Sequence, residues 1–109
     1  MNELGGITGI TEKELRDGGT VEMEIQIDPH TLERAGERGA TEDEIKDVIN
    51  TGLTIPAKYG RIGKAKVYDF KRNRHNKYYE QKRVEVFYLI KGDRIVTVTV
   101  YVFYGKWEV

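Results

Sequence analysis

The sequence predicts a single α+β domain in which two N-terminal helices pack on one face of an antiparallel sheet, in the order β-α-α-β-β-β. Three observations support this prediction. Residues 21–27 alternate strictly between apolar and polar side chains, as a half-buried strand does. Two segments with helix start and stop residues follow. The C-terminal half is rich in Val, Tyr and Thr runs, which favour strands.

The first helix is predicted from its ends. Asp28 is a good N-cap, and Pro29 suits the first helical turn because the missing N–H would have no partner there. The helix is expected to run to about Arg38, and Gly39 closes it as the residue that tolerates a left-handed backbone.

The second helix follows at once. Thr41 and Glu44 have the spacing of a capping box, in which each side chain accepts a hydrogen bond from the backbone of the other. Gly52 is expected to end this helix. Its apolar stripe consists of Ile45, Val48 and Ile49.

Three strands are predicted beyond Pro56. The first covers 64–70, the second runs from 77–81 into 82–90, and the third covers 95–104 after a turn at 91–93. Because helices precede a run of strands, the layout is α+β rather than alternating α/β. Residues 1–20 are rich in Gly and charge, so we expect a poorly packed N-terminal arm followed by one domain over 21–109.

Composition narrows the function classes. The chain has no cysteine, which excludes disulfides and thiol chemistry. Its two histidines are far apart in sequence, so neither a metal site nor a cofactor is expected. There is no apolar run of membrane length and no apolar signal core, so we expect a soluble, cytoplasmic protein.

The formal net charge of zero hides a strong asymmetry. Residues 1–50 carry 13 Asp and Glu against 5 Lys and Arg, whereas residues 51–109 carry 5 against 13. Ten basic residues lie between Lys58 and Arg83, with Asp69 and Glu80 as the acidic ones. A basic stretch of this kind indicates a polyanionic partner.

The densest part of this stretch, 71–79, mixes cations with Asn, His and Tyr. Such a mixture suits contacts to a phosphate backbone and stacking on bases. RNA is therefore a predicted partner, although a solvated loop whose charge keeps the protein soluble is the alternative. The predicted RNA-binding residues are Lys64, Lys66, Arg72, Arg74, His75, Lys77 and Tyr78.

The sheet face for this partner is predicted from the last hairpin. If Gly92 and Asp93 form a two-residue loop, strand alternation divides the last two strands into two faces. The predicted core face carries Phe87, Leu89, Val96, Val98, Val100 and Val102. The predicted RNA face carries Val84, Val86, Tyr88, Thr97, Thr99 and Tyr101, with Lys64, Lys66, Tyr68 and Phe70 from the preceding strand.

The first helix carries a candidate catalytic set. His30, Arg34 and Arg38 recur every four residues and therefore stay on one side of the helix, while Leu32 and Ala35 face the sheet. An imidazole beside two guanidiniums suits phosphodiester cleavage, with His as general base and Arg as phosphate clamp. The alternative is a surface helix with ion pairs to neighbouring glutamates.

These helix and strand motifs resemble those of a known protein family. The pattern from His30 to Gly39, continued by Thr41–Gly52 and by the closing strand 96–101, resembles a family of small uncharacterised bacterial, archaeal and phage proteins. That family is similar to the BrnT and RelE toxins of the barnase, colicin and RelE-like ribonuclease superfamily. The resemblance implies a metal-independent endoribonuclease, often a toxin encoded beside an acidic antitoxin.

The resemblance also implies a set of site residues. His30, Arg34 and Arg38 match the helix motif, and Thr99 and Tyr101 match the closing strand, which makes these five the predicted catalytic residues. In place of an Arg-then-Tyr pattern near the end, the chain has Tyr-Gly-Lys-Trp at 104–107, which leaves the general acid unassigned. Two other functions stay open: an RNA-binding module without catalysis, and an interaction protein that docks an acidic partner.

Overall fold

The computed structural model describes residues 23–108, in which two helices and five strands form one α+β unit. The predicted arm at 1–20 and the first two residues of the predicted strand 21–27 lie outside the described residues. The elements are β1 (Glu24–Gln26), α1 (Pro29–Arg38), α2 (Glu42–Thr51), β2 (Leu53–Ile55), β3 (Ile62–Arg74), β4 (Lys77–Lys91) and β5 (Arg94–Gly105).

Both helix predictions are confirmed at their ends. The Asp28 carboxylate accepts the Thr31 amide at 3.1 Å at the start of α1, and Gly39 ends the helix with φ of 103°. A positive φ of this size favours glycine because it has no Cβ.

The start of α2 is equally well defined. Thr41 and Glu44 form the reciprocal capping box, with Glu44 N–H donating to Thr41 Oγ1 at 3.1 Å and Thr41 N–H donating to Glu44 Oε1 at 3.0 Å. Two orphan amides of the first turn are thereby satisfied.

The sheet differs from the prediction in two respects. Its strand order is β1-β5-β4-β3-β2, and β1 pairs with β5 in parallel, so the sheet is mixed rather than antiparallel. The sheet also contains β2, a three-residue edge strand that pairs with β3 and was not predicted. Such a short strand follows the second helix directly and carries no alternation long enough to be recognised.

A β-bulge changes which side chains of β4 and β5 share a sheet face. The two-residue loop at Gly92 and Asp93 is present, and the predicted register holds as far as the pair Tyr88–Thr97. The next pair is Phe87 with Thr99, which leaves Val98 as the extra residue. Because one extra residue shifts the later pairs by one, Val100 and Val102 lie on the face of Val84 and Val86, whereas Thr99 and Tyr101 lie on the face of Phe87.

The core therefore combines Val84, Val86 and Tyr88, which were predicted to meet RNA, with Val100, which was predicted as core. Both helices pack there, and Thr97 is buried with its hydroxyl donating to the Gln26 carbonyl at 3.2 Å. Phe87 and Leu89, predicted as core, are half-buried on the opposite face. The buried cluster contains Ala35, Ala40, Ile45, Val48 and Ile49 from the helical segment and Val84, Val86, Tyr88, Ile95 and Val100 from the strands.

The long hairpin of β3 and β4 extends beyond this core. A second irregularity lies between Asp69 and Arg72, where Lys71 adopts φ of 52°. The two strands are joined at His75 and Asn76, whose φ values of 52° and 68° match a two-residue turn that follows the strand twist. The basic segment of the sequence is thus a β-hairpin end rather than an irregular loop.

Candidate functional site: a basic pocket between helix α1 and strand β5

A shallow pocket of about 150 Å³ lies between α1 and the outer edge of β5. Among residues 23–108, β1 pairs with Arg94–Val96 of β5, and the edge of β5 beyond Val96 lies next to helix α1. The pocket is lined by His30, Thr31, Arg34, Arg38, Val98, Thr99 and Val100. The three helix residues singled out in the sequence therefore share one pocket with Thr99.

Arg38 is held firmly at one end of this pocket. Its Nη1 donates to the Val100 carbonyl at 2.9 Å, and its guanidinium carbon lies 5.5 Å from the centroid of the Tyr101 ring. The hydrogen bond also satisfies a backbone acceptor on the open strand edge. Because a guanidinium has five N–H donors in a rigid plane, the remaining donors are oriented in advance for an anion.

Arg34 is held more weakly. Its Nε lies 3.6 Å from a carboxylate oxygen of Glu37, and both side chains are about half exposed, at 49% and 62%. An exposed pair at this distance contributes little free energy. Arg34 can therefore exchange Glu37 for a phosphate at small cost. The ion-pair alternative from the sequence accounts for Arg34 only in part, and Arg38 contacts a carbonyl and a ring instead.

His30 and the two hydroxyl residues complete the pocket. His30 lies in the first turn of α1 and is exposed. The Thr31 hydroxyl lies 3.5 Å from the Val98 carbonyl oxygen, at the bulge. Thr31 was not selected from the sequence, since a threonine beside a proline-initiated helix start is expected to act in capping.

Thr99 and Tyr101 do not lie on the same sheet face as Lys64 and Lys66, which corrects the sequence prediction. After the bulge, Thr99 and Tyr101 point to the sheet face opposite α1 and α2. Tyr101 keeps 42% of its surface exposed and contacts Phe87, with ring centroids 6.0 Å apart. It reaches the pocket only through Arg38, across the edge of β5.

Lys66 is engaged with helix α2. Its ammonium lies 2.7 Å from Asp47 Oδ2 and 2.8 Å from Thr51 Oγ1, and the Tyr68 hydroxyl donates to the same carboxylate at 2.6 Å. The hydrogen bond from Lys66, followed by that from Tyr68, lowers the pKa of Asp47 below its usual range. Burial, strengthened by the bond to Asp47, raises the pKa of Tyr68. Lys64 lies on the same side of β3, two residues before Lys66, and is paired with Thr54 of β2.

The other predicted RNA-binding residues lie on the end of the β3–β4 hairpin. Arg74 links this hairpin to α1, because its Nη2 donates to the Glu37 carbonyl at 2.9 Å and its guanidinium carbon lies 4.9 Å from the Tyr104 ring centroid. A cation at this helix end also interacts favourably with the helix dipole. Arg72, His75, Lys77 and Tyr78 continue along the hairpin end.

The last turn of α1 therefore joins two basic regions. Arg38 extends from it into the pocket, and Arg74 binds to it from the hairpin. The Tyr104 hydroxyl donates to the Arg38 carbonyl at 2.7 Å, which fixes this junction from the sheet side. A bound polyanion could thus contact the pocket and the hairpin at once.

A larger cavity, of about 520 Å³, lies elsewhere, at β2 and the C-terminal Trp107. Its walls include Leu53, Ile55 and Val67. Both cations that line it are already paired, Lys66 with Asp47 and Arg83 with Glu85 at 3.0 Å. This cavity is less suited to a phosphate than the smaller pocket at α1.

Comparisons with protein-family models, curated proteins and solved structures gave no match. The site must therefore be interpreted from its own chemistry. Within residues 23–108, no helix is long and apolar enough to cross a membrane. In the same part of the chain, no three His, Asp or Glu side chains are grouped as metal ligands.

Proposed function

We propose that the protein is an endoribonuclease that cleaves RNA without a metal ion, in the manner of RelE-type toxins. The observation that carries this proposal is the shared pocket of His30, Arg34 and Arg38 at the edge of β5, in which a potential base and two phosphate clamps meet. The order of the elements, with both helices on one sheet face, supports a RelE-like domain.

The scissile phosphate would lie between the two guanidiniums. Arg38 is already fixed by the Val100 carbonyl, so little side-chain entropy is lost when it binds. Arg34 supplies a second positive charge from its weak pair with Glu37. Donors of this kind stabilise the additional negative charge that develops in the transition state.

The proton transfer is assigned to His30. A neutral imidazole takes the proton of the RNA 2′-hydroxyl, and the 2′-oxygen forms a bond to the adjacent phosphorus. The bond from phosphorus to the 5′-oxygen of the next nucleotide breaks, and that oxygen takes up a proton from solvent water. The products are a 2′,3′-cyclic phosphate and a 5′-hydroxyl. Of the two histidines, His30 is favoured because His75 lies in the hairpin turn, outside the pocket lining.

The experiment is incubation of purified protein with a fluorogenic oligoribonucleotide in EDTA. The expected result is a product ending in a 2′,3′-cyclic phosphate, with no cleavage of the 2′-deoxy oligomer. The double variant His30→Ala/Arg38→Ala should lower the rate by at least about 10²-fold, the usual loss for one catalytic group. Arg61→Ala, which changes an arginine stacked on Tyr59 outside the pocket, is the matched control. Undiminished cleavage by the double variant would refute the site.

A second function is favoured by the hairpin end, where three cations each lie over an aromatic ring. Arg72 lies 4.7 Å from the Phe70 centroid, and Lys77 lies 5.6 Å from that of Tyr79. With Arg74 over Tyr104, these pairs offer both charge and stacking surface to a nucleic acid strand. Steeply salt-dependent RNA binding without any product would favour this binding module over the enzyme. An acidic protein partner, such as an antitoxin, would compete with RNA for the same cations.

A further inference from the structure

The sheet face opposite the helices carries a row of aromatic rings that runs toward the pocket. Phe87 of β4 and Tyr101 of β5 lie 6.0 Å apart between centroids, and Tyr101 and Phe103 lie 6.3 Å apart with a tilt of 34° between the ring planes. Tyr101 and Phe103 keep 42% and 47% of their surface exposed. We call these three residues the aromatic row.

The first ring of the row packs on a glycine of β3, and the middle ring contacts an arginine of the pocket. A Cβ placed on Gly63 of β3 would lie 2.8 Å from the Phe87 ring, so this ring is seated directly on the glycine backbone. At the other side, the Arg38 guanidinium lies over the Tyr101 ring while its Nη1 binds the Val100 carbonyl. One arginine therefore borders both the pocket and the row.

We propose that the aromatic row binds the bases of the single-stranded RNA whose phosphate occupies the pocket. This inference rests on the proposed function and extends it to the substrate class: RNA that is unpaired beside the cleavage site. Aromatic rings that alternate along a strand present π-faces at successive positions about 6–7 Å apart, which suits splayed bases. A base pair in a duplex has no free face for such rings.

The charges on this face also suit RNA. The acidic residue beside Tyr101 is Glu85, its partner across the strands, and its carboxylate is bound by Arg83 at 3.0 Å with the Glu85 side chain only 18% exposed. The row thus lies next to an ion-paired carboxylate on β4 and next to a cation, Arg38, at the edge of β5. A strand that leaves the pocket across β5 would keep its phosphates near Arg38 and its bases over Tyr101 and Phe103.

The test compares binding of two oligomers that cannot be cleaved. One is a 2′-O-methyl oligouridylate, and the other has the same backbone with abasic central positions. Fluorescence anisotropy at fixed salt should show the abasic oligomer binding about 5- to 100-fold more weakly to the wild-type protein, the range for loss of one stacked base. This comparison requires no substitution and therefore no assumption about folding of a variant.

The double variant Tyr101→Leu/Phe103→Leu should bind both oligomers with equal affinity. Tyr59→Leu, which removes a tyrosine that is 83% exposed in the loop before β3, is the matched control and should keep the difference. Equal binding of the two oligomers by the wild-type protein would overturn the proposal. A double variant that keeps the difference between the oligomers would also overturn it. If that variant in addition sediments as a monomer where the wild-type protein sediments as a dimer, the row is a contact between copies of the chain.

Cleavage is measured separately, with His30→Ala as the variant that leaves the row intact. If the protein prefers the oligomer with bases but cleaves no RNA, the row stands and the ribonuclease proposal fails. If it cleaves RNA and His30→Ala abolishes this, while abasic positions do not weaken binding, the ribonuclease stands and the row fails.

Discussion

The buried ion pair between Glu44 and Lys82 gives the sharpest prediction about stability. Lys82 is only 6% exposed, and its ammonium lies 2.9 Å from the Glu44 carboxylate and 2.8 Å from the Gly39 carbonyl oxygen. Glu44 is the capping-box residue of α2 and also binds the Thr41 amide. The pair therefore joins β4 to the start of α2 and to the end of α1, one residue beyond Arg38.

The perturbation is Glu44→Gln, which keeps a cap acceptor and removes the negative charge. Breaking a buried pair by losing one partner costs about 3–5 kcal/mol, because the remaining charge is uncompensated. The Glu44 side chain is 23% exposed, so water reduces this cost. We therefore expect the variant to lower the free energy of unfolding by about 2–3 kcal/mol. Lys82→Met removes the buried charge itself and should cost about 1–2 kcal/mol, chiefly for the Gly39 carbonyl left without its donor.

The assay is urea denaturation of the wild-type protein, the two single variants and the double variant Glu44→Gln/Lys82→Met. Because both changes act on one interaction, the double variant should be destabilised by less than the sum of the single effects, by about 1–2 kcal/mol. The reasoning is refuted if Glu44→Gln costs no more than Lys82→Met, or if the two effects add.

Two other predictions concern the helix end and acid stability. Gly39→Ala should destabilise the protein by about 2–4 kcal/mol, because its Cβ would lie 2.0 Å from the Tyr104 hydroxyl at φ of 103°. Gly36→Ala, whose Cβ would have nothing within 4 Å, should instead stabilise α1 by about 0.5–1 kcal/mol. Thermal melts of the two variants measure both effects, and equal shifts of the two melting temperatures would contradict this prediction. The lowered pKa of Asp47 implies stabilisation that is complete above its usual value of 3.8 and is lost as pH falls through the lower, folded value. Asp47→Asn should therefore be less stable than wild type at neutral pH, and the difference in denaturation midpoint should narrow at acid pH; a constant difference would exclude this role.

The local elements could be predicted from the sequence because their signals act within a few residues. Asp28 and Gly39 set the ends of α1, and Thr41 with Glu44 sets the start of α2. His30, Arg34 and Arg38 share a pocket because a spacing of four residues fixes their side of the helix wherever it packs. Their roles in catalysis and RNA binding stay predictions.

The sheet face could not be predicted in this way. A period of two identifies a strand but does not reveal where one residue will bulge, and a single extra residue exchanges the faces. Val98 is that residue, and nothing in its type distinguishes it from the other valines of β5. The aromatic row was missed for the same reason, since Phe87 was expected in the core.

Thr97 and Thr99 illustrate which structural features can be predicted from the sequence and which depend on tertiary packing. Both belong to one Val-Thr alternation, which by itself determined that this segment is a strand. Only the packed structure decided that Thr97 is buried with its hydroxyl on the Gln26 carbonyl and that Thr99 lies beside Phe87 on the opposite sheet face. The physical reason is that strand formation depends on local backbone preference, whereas the facing of each side chain depends on pairing with β4 and on the bulge between the two threonines.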